Sequence, residues 1–399
     1  MIPIALERPG AVKLAPLPPL ALYVHIPWCV RKCPYCDFNS HERTGSLPEN
    51  EYVNRVMRDI EASLPSIWGR RIVSVFIGGG TPSLFSPESI DALLSGVRAR
   101  LQVEPQAEIT LEANPGTVEA ARFRGFRGAG VNRISIGVQS FDDRMLVALG
   151  RIHSAAEARR AIDAALASFD NVNLDLMYGL PAQTDAMARA DLQQAIACGV
   201  PHVSAYQLTI EPNTAFYSRP PQLPQHDATA DMQLAAEEAL AGAGYEHYET
   251  SAFARPGRRC RHNLNYWEFG DYLGVGAGAH GKISFADRVT RHERTKQPRD
   301  YMEKEPSYSE RTVAPDELPF EFMLNALRLV EGFEATLFCE RTGLPLTSIE
   351  RELSEAESRG LLERDWKRIR PTERGQRFLN ELLEVFLTAD TRSPAPASG

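Results

Sequence analysis

Strand-like apolar segments alternate with amphipathic helices through the first half of the chain, and no other feature constrains the fold as strongly. The strand candidates are residues 20–27, 71–77, 107–113, 131–139, 171–178 and 202–209. A helix between two strands returns the chain to its starting edge, so the next strand runs parallel to the last. The pattern predicts an α/β fold, best described as an incomplete (β/α) barrel of six units. An open doubly wound sheet is the alternative.

Two of the intervening helices have recognisable first turns. Ser86 precedes Pro87, and apolar residues follow at helical spacing, which is typical of a capped helix that buries one face. Ser154 and Glu157 have the spacing of a capping box. These signals favour helices that cover the apolar face of the sheet.

Three of the strand candidates alternate polar with apolar residues, which is unusual for the wall of a closed barrel. The polar members are Asn171, Asn173 and Asp175; Arg133, Ser135, Gly137 and Gln139; and Glu108, Thr110 and Glu112. Successive side chains of a strand point to opposite faces, so helices on the apolar face leave the polar face inside. Because unpaired polar groups are costly to bury, this predicts a wide, solvated interior that holds a ligand. Half-exposed antiparallel strands are the alternative.

The chain changes character from about residue 316. Helices are predicted over 316–329 and 347–359, a charged ribbon over 361–370 and a last helix over 371–387, which together resemble a winged-helix domain. The second helix carries four glutamates (Glu350, Glu352, Glu355, Glu357), which repel phosphates, so an interaction or lid domain is favoured over a DNA reader. The predicted division is a lead over 1–19, a barrel over 20–250, a connecting segment over 251–315, this mostly helical domain over 316–387, and a disordered tail over 388–399.

Composition limits the function classes. The 399 residues carry a formal net charge of −8, which argues against nucleic acid as the main partner. Neither a signal peptide nor an apolar stretch long enough to span a membrane is recognisable, so a cytoplasmic protein is expected. Only 6 cysteines occur, which suits a reducing compartment better than a disulfide framework.

Three of those cysteines follow the first strand candidate. Cys29, Cys33 and Cys36 are spaced C-x₃-C-x₂-C, so one short loop can present three thiolates to an iron–sulfur cluster. A cubane cluster has four irons, and the fourth is then left open for chemistry. Structural zinc is the alternative, but no second pair of cysteines completes a tetrahedral site.

This loop resembles that of the radical S-adenosylmethionine (SAM) superfamily, and the resemblance extends over residues 20–385. It implies a [4Fe-4S] cluster on the three cysteines, with SAM chelating the open iron. Tyr35 matches the position near the adenine of SAM. Within the stretch Ile77-Gly-Gly-Gly-Thr-Pro-Ser, three residues match the motif that holds the amino group of SAM: Gly79, Gly80 and Thr81.

Further SAM or substrate contacts are implied by the same resemblance. The candidates are Tyr23, Glu112, Gln139, Arg151 and Asp175, most of them in or just after a strand candidate. Crevices at the carboxyl ends of parallel strands are the usual ligand sites. Any one of these side chains could instead be a structural hydrogen-bonding group.

Four stretches indicate a group within the superfamily, the one that contains oxygen-independent coproporphyrinogen III oxidase and related heme chaperones of porphyrin metabolism. They are Tyr23-Val-His-Ile-Pro, Gly78-Gly-Gly-Thr-Pro-Ser, Arg133-Ile-Ser-Ile-Gly-Val-Gln-Ser and Asp175-Leu-Met-Tyr-Gly-Leu-Pro. The oxidase carries a further cysteine two residues after the last cluster ligand, and here that residue is Phe38. This departure argues against its decarboxylation chemistry.

The stretch from His262 to Trp267 matches the H-N-x-x-Y-W motif of the heme-chaperone branch. It implies heme contacts by His262, Asn263, Tyr266 and Trp267, with the imidazole as a potential iron ligand. A packed structural histidine is the alternative. We therefore expect a heme chaperone with a cluster and SAM that passes heme to an acceptor, such as a respiratory protein. The rival function is that of an oxidase that decarboxylates coproporphyrinogen. The sequence leaves open which protein accepts the heme, whether the protein forms a homodimer, and whether it contacts a membrane peripherally through the acceptor.

Overall fold

The computed structural model describes residues 12–116, 120–305 and 308–387, so the predicted tail over 388–399 and most of the lead lie outside the described residues. The strands are β1 (Leu20–Ile26), β2 (Trp28–Cys29), β3 (His41–Glu42), β4 (Arg71–Gly79), β5 (Gln102–Ala113), β6 (Arg133–Gln139), β7 (Val172–Tyr178), β8 (His202–Gln207), β9 (Glu246–Glu249), β10 (Ala252–Ala254), β11 (Asp271–Val275), β12 (His280–Ser284), β13 (Val289–Arg294), β14 (Tyr308–Thr312), β15 (Phe333–Glu334), β16 (Leu362–Arg364) and β17 (Arg368–Pro371). The α-helices are α1 (Glu49–Ile67), α2 (Pro87–Arg100), α3 (Ala120–Ala129), α4 (Asp143–Ala148), α5 (Ala155–Leu166), α6 (Asp185–Ala197), α7 (Ala215–Ser218), α8 (His226–Gly242), α9 (Arg261–Trp267), α10 (Pro298–Glu303), α11 (Leu318–Ala326), α12 (Ala335–Thr342), α13 (Glu350–Ser358), α14 (Glu373–Arg377) and α15 (Leu379–Glu384).

The six predicted strands form the centre of the large sheet. Strands β1, β4, β5, β6, β7 and β8 lie side by side in chain order, and each neighbouring pair is parallel. A doubly wound sheet would reverse its strand order at a switch point. The order here does not reverse, which confirms the predicted α/β fold with an incomplete barrel wall.

The region between the barrel and the C-terminal domain contributes more to the sheet than a connecting segment. Strand β11 pairs in parallel with β1 on the side opposite β4, and β12, β13 and β14 extend that edge in antiparallel fashion. At the other edge, β10 and β9 follow β8, also antiparallel. The apolar pattern did not predict β11, because its first residue is the buried Asp271, which pairs with the buried Lys282 at 2.8 Å.

Both predicted helix starts are confirmed. The Ser86 side chain accepts a hydrogen bond from the backbone N–H of Ser89, with Pro87 in the first turn. Ser154 and Glu157 form the reciprocal capping box at the start of α5. The apolar faces of these helices pack against the strands in one continuous core. No helix in the described ranges is long and apolar enough to cross a membrane.

The C-terminal domain combines helices with a small three-stranded sheet ordered β15-β17-β16. The ribbon predicted over 361–370 is the β16–β17 hairpin, and the helix predicted over 347–359 begins with a 3₁₀ turn over Leu346–Ile349 before α13. Two short helices, α14 and α15, replace the single helix predicted over 371–387, and α12 was not predicted. Val12 and Leu14, near the start of the chain, pack into the core of this domain.

Candidate cofactor site

The cysteine loop follows β1 at the carboxyl end of the barrel strands. A short parallel bridge between β2 and β3 closes the loop, and the N–H of Arg43 donates to the carbonyl of Cys29 at 2.9 Å. The three cysteines are free and half-buried, and all line one cavity of about 380 Å³. The structure thus brings the predicted cluster ligands to one site.

The surroundings of these thiols bear on what they can bind. Burial raises the pKa of Cys29 and of Cys36, and the neighbouring thiols add to the effect. A guanidinium N–H of Arg151 donates to Cys33 Sγ at 3.6 Å. Within the described residues, no three His, Cys, Asp or Glu side chains converge on a point that could hold a single metal ion. A cubane spreads its thiolates over separate irons, so three sulfurs in one cavity suit it without converging.

The glycine run after β4 brings backbone close to the cysteine loop. Gly79 has φ +114°, and a Cβ there would lie 2.6 Å from the ring of His25. A Cβ on Gly80 would lie 2.6 Å from the carbonyl oxygen of Trp28. Any side chain would therefore push the two segments apart. The glycines form a bare backbone wall of the cavity.

Two carboxylates face the same cavity from neighbouring parts of the sheet. Burial, with a contribution from Asp175, raises the pKa of Glu112 to about 8, although the N–H of Gly79 donates to it at 3.1 Å. Burial also raises the pKa of Asp175, while hydrogen bonds from Ser135 and Asn173 oppose that shift. Two half-buried carboxyl groups that share one space favour a ligand with positive charge. SAM carries such charge on its sulfonium and amino groups, so the donor set fits it.

Arg151 is fixed at the cavity wall by groups from two strands. Its guanidinium donates to Asn114 Oδ1 at 2.6 Å and to the carbonyl of Gly137 at 2.7 Å. Asn114 in turn donates to the hydroxyl of Thr81 at 2.9 Å. Sequence reasoning missed Asn114, although its place directly after β5 was a usable signal.

Most of the predicted site residues line this cavity. They are Cys29, Cys33, Cys36, Tyr35, Gly79, Gly80, Thr81, Glu112, Gln139, Arg151 and Asp175. Ser135, which was predicted to face the interior, also lines it, and lining residues that were not predicted include Asn114, Met177, Tyr206, Thr209 and Glu211. Gln139 has φ +69° at an irregularity of β6, a strained backbone of the kind often found at functional sites. The individual roles of these residues stay predictions.

Tyr23 lies beneath the cavity and is not one of its lining residues. Its ring stacks on Phe76 at 6.2 Å between centroids, and its hydroxyl is 2.9 Å from Nδ1 of His25. His25 also contacts the carbonyl of Asn39 through Nε2 at 2.9 Å. Burial lowers the pKa of His25 to about 4, so the imidazole is neutral. Tyr23 and His25 therefore support the glycine backbone that lines the cavity, and His25 packs directly against Gly79.

The H-N-x-x-Y-W stretch forms α9, and none of its residues lines the cavity of the cysteine loop. Glu108 accepts hydrogen bonds from the first backbone N–H groups of α9, those of Arg261 and His262. Contacts to Glu108 of β5 and to Ser74 of β4 pack the helix against the middle of these strands, whereas the cysteines follow the carboxyl end of β1. The structure does not bring the predicted heme residues to the cavity.

His262 is packed inside this helix's contact with the sheet. It is 1 % exposed, stacks on Phe76 at 5.0 Å and lies 2.9 Å from Ser74 Oγ through Nδ1. Burial lowers its pKa to about 3, and its Nε2 has no hydrogen-bond partner. Asn263, Tyr266 and Trp267 are half-buried on the same helix. A porphyrin reaches Nε2 of His262 only if α9 moves.

The comparisons with known proteins agree with this architecture. The profile of the Radical SAM superfamily matches residues 23–195, and that of the HemN C-terminal domain matches residues 313–378. Coproporphyrinogen III oxidase (HemN) from Escherichia coli, a radical SAM enzyme, has a similar structure, with a TM-score of 0.78 and 22 % identity over 93 % of this chain and 90 % of that one. The chain is therefore a radical SAM protein with the overall fold of HemN.

Sequence relatives define the family more narrowly. The heme chaperone HemW of Haemophilus influenzae is 50 % identical over 94 % of this chain and 99 % of its own length. The heme chaperone HemW of Escherichia coli is 52 % identical over 93 % of this chain and 99 % of its own length. The chain belongs to the HemW family.

Proposed function

We propose that the protein is a heme chaperone that binds a [4Fe-4S] cluster through Cys29, Cys33 and Cys36, binds SAM in the adjoining cavity, and carries heme to an acceptor protein. The observation that carries the cofactor part is the one cavity that joins three free thiols, a bare glycine backbone and two half-buried carboxyl groups. The heme part rests on the names of relatives that are half identical over nearly their whole length. A reducing compartment such as the cytoplasm would keep the thiols available.

The residues around the cavity have distinct tasks in this proposal. When bound, the cluster supplies an open iron at which SAM is chelated. The Gly79–Gly80 backbone leaves room for the ligand, and Glu112 and Asp175 offer it two carboxyl groups, whose ionised forms a positively charged ligand stabilises. Arg151, held by Asn114 and Gly137, supplies positive charge beside Cys33.

Heme is the cargo, and α9 is the proposed place of its contacts. The helix presents half-buried Tyr266 and Trp267 together with a histidine whose Nε2 is unpartnered. Because His262 is buried, ligation through Nε2 requires α9 to shift away from Phe76. Heme binding should then expose residues that are packed in the unloaded protein.

No observation favours coproporphyrinogen oxidation as a second function. Phe38, 60 % exposed, stands where the oxidase group carries its additional cysteine. The likeness to HemN at 22 % identity concerns the fold alone. We therefore treat decarboxylation as an outcome of the test.

The test is anaerobic reconstitution with iron and sulfide, followed by parallel assays of heme uptake and of porphyrinogen decarboxylation in the presence of SAM. We expect a heme spectrum that saturates at a fixed stoichiometry, transfer of that heme to an apo-form of a respiratory heme protein, and no decarboxylated product. Cys33→Ser should lose the intact cluster, whereas Cys339→Ser, which removes an exposed cysteine of α12, should keep it. Product formation at catalytic turnover would overturn the chaperone proposal.

His262→Ala tests the heme contact separately. If the imidazole ligates iron in the loaded protein, the variant should lose the wild-type Soret band while its cluster content and SAM binding stay normal. His280→Ala is the matched control, because that histidine side chain is 63 % exposed and lies on β12. An identical heme spectrum in His262→Ala would remove the ligand role and leave α9 as a structural plug.

A further inference from the structure

A buried chain of hydrogen bonds connects the start of α9 with the cofactor cavity. The N–H of Cys260 lies 3.2 Å from the hydroxyl of Tyr248, which lies 2.8 Å from Nε2 of His202. Nδ1 of His202 is 2.6 Å from Oδ1 of Asn173, and Nδ2 of Asn173 is 2.8 Å from Oδ1 of Asp175. Tyr248, His202 and Asn173 are at most 2 % exposed. This chain of hydrogen bonds thus ends on the carboxylate of Asp175, which lines the cavity.

The direction of every link follows from the chemistry of its members. A carboxylate only accepts, so Asn173 must turn its NH₂ group toward Asp175 and its carbonyl oxygen toward His202. That oxygen also only accepts, so Nδ1 of His202 carries the proton and Nε2 is left with its lone pair. The Tyr248 hydroxyl therefore donates to Nε2 and accepts from the N–H of Cys260. All donors point toward Asp175.

Independent groups support this assignment. Burial, assisted by the positive charge of Arg133, lowers the pKa of His202 well below its usual range, so the ring is neutral and has one proton to place. Ser204 donates to the same oxygen of Asn173 at 3.1 Å, which fits an amide whose oxygen faces β8. Ser135 donates to the second oxygen of Asp175 at 3.0 Å. The carboxylate is held from two sides.

We propose that His202 and Tyr248 are positioning residues that fix the orientation and the ionised state of Asp175 toward the ligand of the cavity. The proposal rests on the proposed binding of SAM there. Without the Tyr248 hydroxyl, Nε2 of His202 loses its hydrogen-bond donor, so the bond from Nδ1 to Asn173 alone holds the ring. A ring that shifts weakens this bond and loosens the Asn173 amide, whose NH₂ group donates to Asp175 and to Ser135. The Tyr248 hydroxyl, which is separated from Asp175 by His202 and Asn173, therefore strengthens the donor that Asp175 meets.

The test is the affinity of the cluster-loaded protein for SAM in Tyr248→Phe. We expect the dissociation constant to rise about tenfold, the effect of one lost buried hydrogen bond. Tyr245→Phe is the matched control. The hydroxyl of this neighbouring buried tyrosine donates a hydrogen bond to the carbonyl of Val200 and takes no part in the hydrogen-bond chain that leads to Asp175. Equal SAM affinities in the two variants would overturn the proposal.

The pH profile separates positioning from general loosening of the fold. Groups that face Asp175 include Arg133 on β6, Glu112 on β5 and Tyr206 on β8, and all of them remain in the variant. A weaker Asn173 donor should raise the pKa of Asp175, so the deficit of Tyr248→Phe relative to wild type should grow as the pH falls from 8 to about 6. A ratio of affinities that does not change with pH would contradict the proposal.

A second pair of variants tests the histidine itself. Gln at 202 can accept from Tyr248 and donate to Asn173, so His202→Gln should keep SAM affinity within about threefold, whereas His202→Leu should lose about tenfold or more. Equal losses in both would overturn the positioning role even if Tyr248→Phe failed to fold. A wild-type protein that binds its cluster but no SAM would instead overturn the proposed function.

Discussion

Glu112 has a pKa of about 8, which lies well above the usual range of a glutamate. The folded state then binds a proton that the unfolded state releases between pH 5 and pH 8, so the free energy of unfolding should fall as the pH rises through this window. The slope contributed by one such group is at most about 1.4 kcal/mol per pH unit. We expect Glu112→Gln to remove this slope in the cluster-free protein, as measured by urea unfolding at a series of pH values.

Glu88→Gln is a suitable control for that series, since Glu88 lies in the exposed first turn of α2. It should leave the pH dependence of wild type unchanged. If Glu112→Gln and wild type showed parallel stability profiles, the carboxyl group would not hold its proton in the folded state.

Gly80 tests the demand for bare backbone at the cavity wall. A methyl group there would lie 2.6 Å from a backbone oxygen of Trp28, which cannot move without the cysteine loop. Gly80→Ala should therefore weaken SAM binding by tenfold or more, measured by equilibrium dialysis on the cluster-loaded protein.

Gly128→Ala in α3 provides the comparison, because a Cβ there meets no atom within 4 Å. This change should leave SAM binding as it is and should stabilise the helix by up to about 1 kcal/mol. Unimpaired SAM binding in Gly80→Ala would mean that the backbone of Trp28 can move to make room for the methyl group.

For individual residues, local spacing patterns were enough to predict those that line the cavity together. The cysteine triplet, the glycine run and the carboxylates at strand ends line one cavity, as expected from strands whose carboxyl ends meet. The position of His262 could not be predicted in the same way. Nothing in the order of residues tells at which end of the barrel a helix will pack when it follows the last barrel strand by some fifty positions.

Among the elements, β11 depends on a buried ion pair instead of an apolar alternation. Asp271 accepts from Lys282 at 2.8 Å and pairs with Arg70 at 2.8 Å, and both Asp271 and Lys282 are almost fully buried. Removal of one partner leaves an uncompensated charge, so Lys282→Met should lower the free energy of unfolding by about 3–5 kcal/mol in urea titrations.

The double variant Asp271→Asn/Lys282→Met should recover part of that loss, because it leaves no buried carboxylate without its ammonium partner. A single variant that lost less than about 1 kcal/mol would show that Arg70 alone compensates Asp271. The same pair explains why the sequence predicted six parallel strands and missed the seventh: apolar periodicity finds strands that are buried by hydrophobic contact, and charges buried by pairing break that pattern.

At the scale of the whole molecule, the segment around Leu14 connects the C-terminal domain to the rest of the fold. Leu14 is 3 % exposed in the core of that domain, and its N–H donates to the carbonyl of Ala286 at 3.0 Å. Leu14→Ala should cost about 2–4 kcal/mol in thermal unfolding, with the C-terminal domain melting first. Leu17→Ala, at a residue that is 39 % exposed, should be close to neutral. Equal melting temperatures for the two variants would show that this attachment does not stabilise the domain.

Helix α9 packs against β4 and β5 and contributes no residue to the cofactor cavity, whereas the cysteine loop forms part of its wall. If ligands enter this cavity past the cysteine loop, they have to bind in a fixed order. A ligand that binds deep in the cavity then has to enter before a ligand that binds beside the loop, and it has to leave after that ligand. Exchange of the deeper ligand should therefore be slowest while the site beside the loop is occupied.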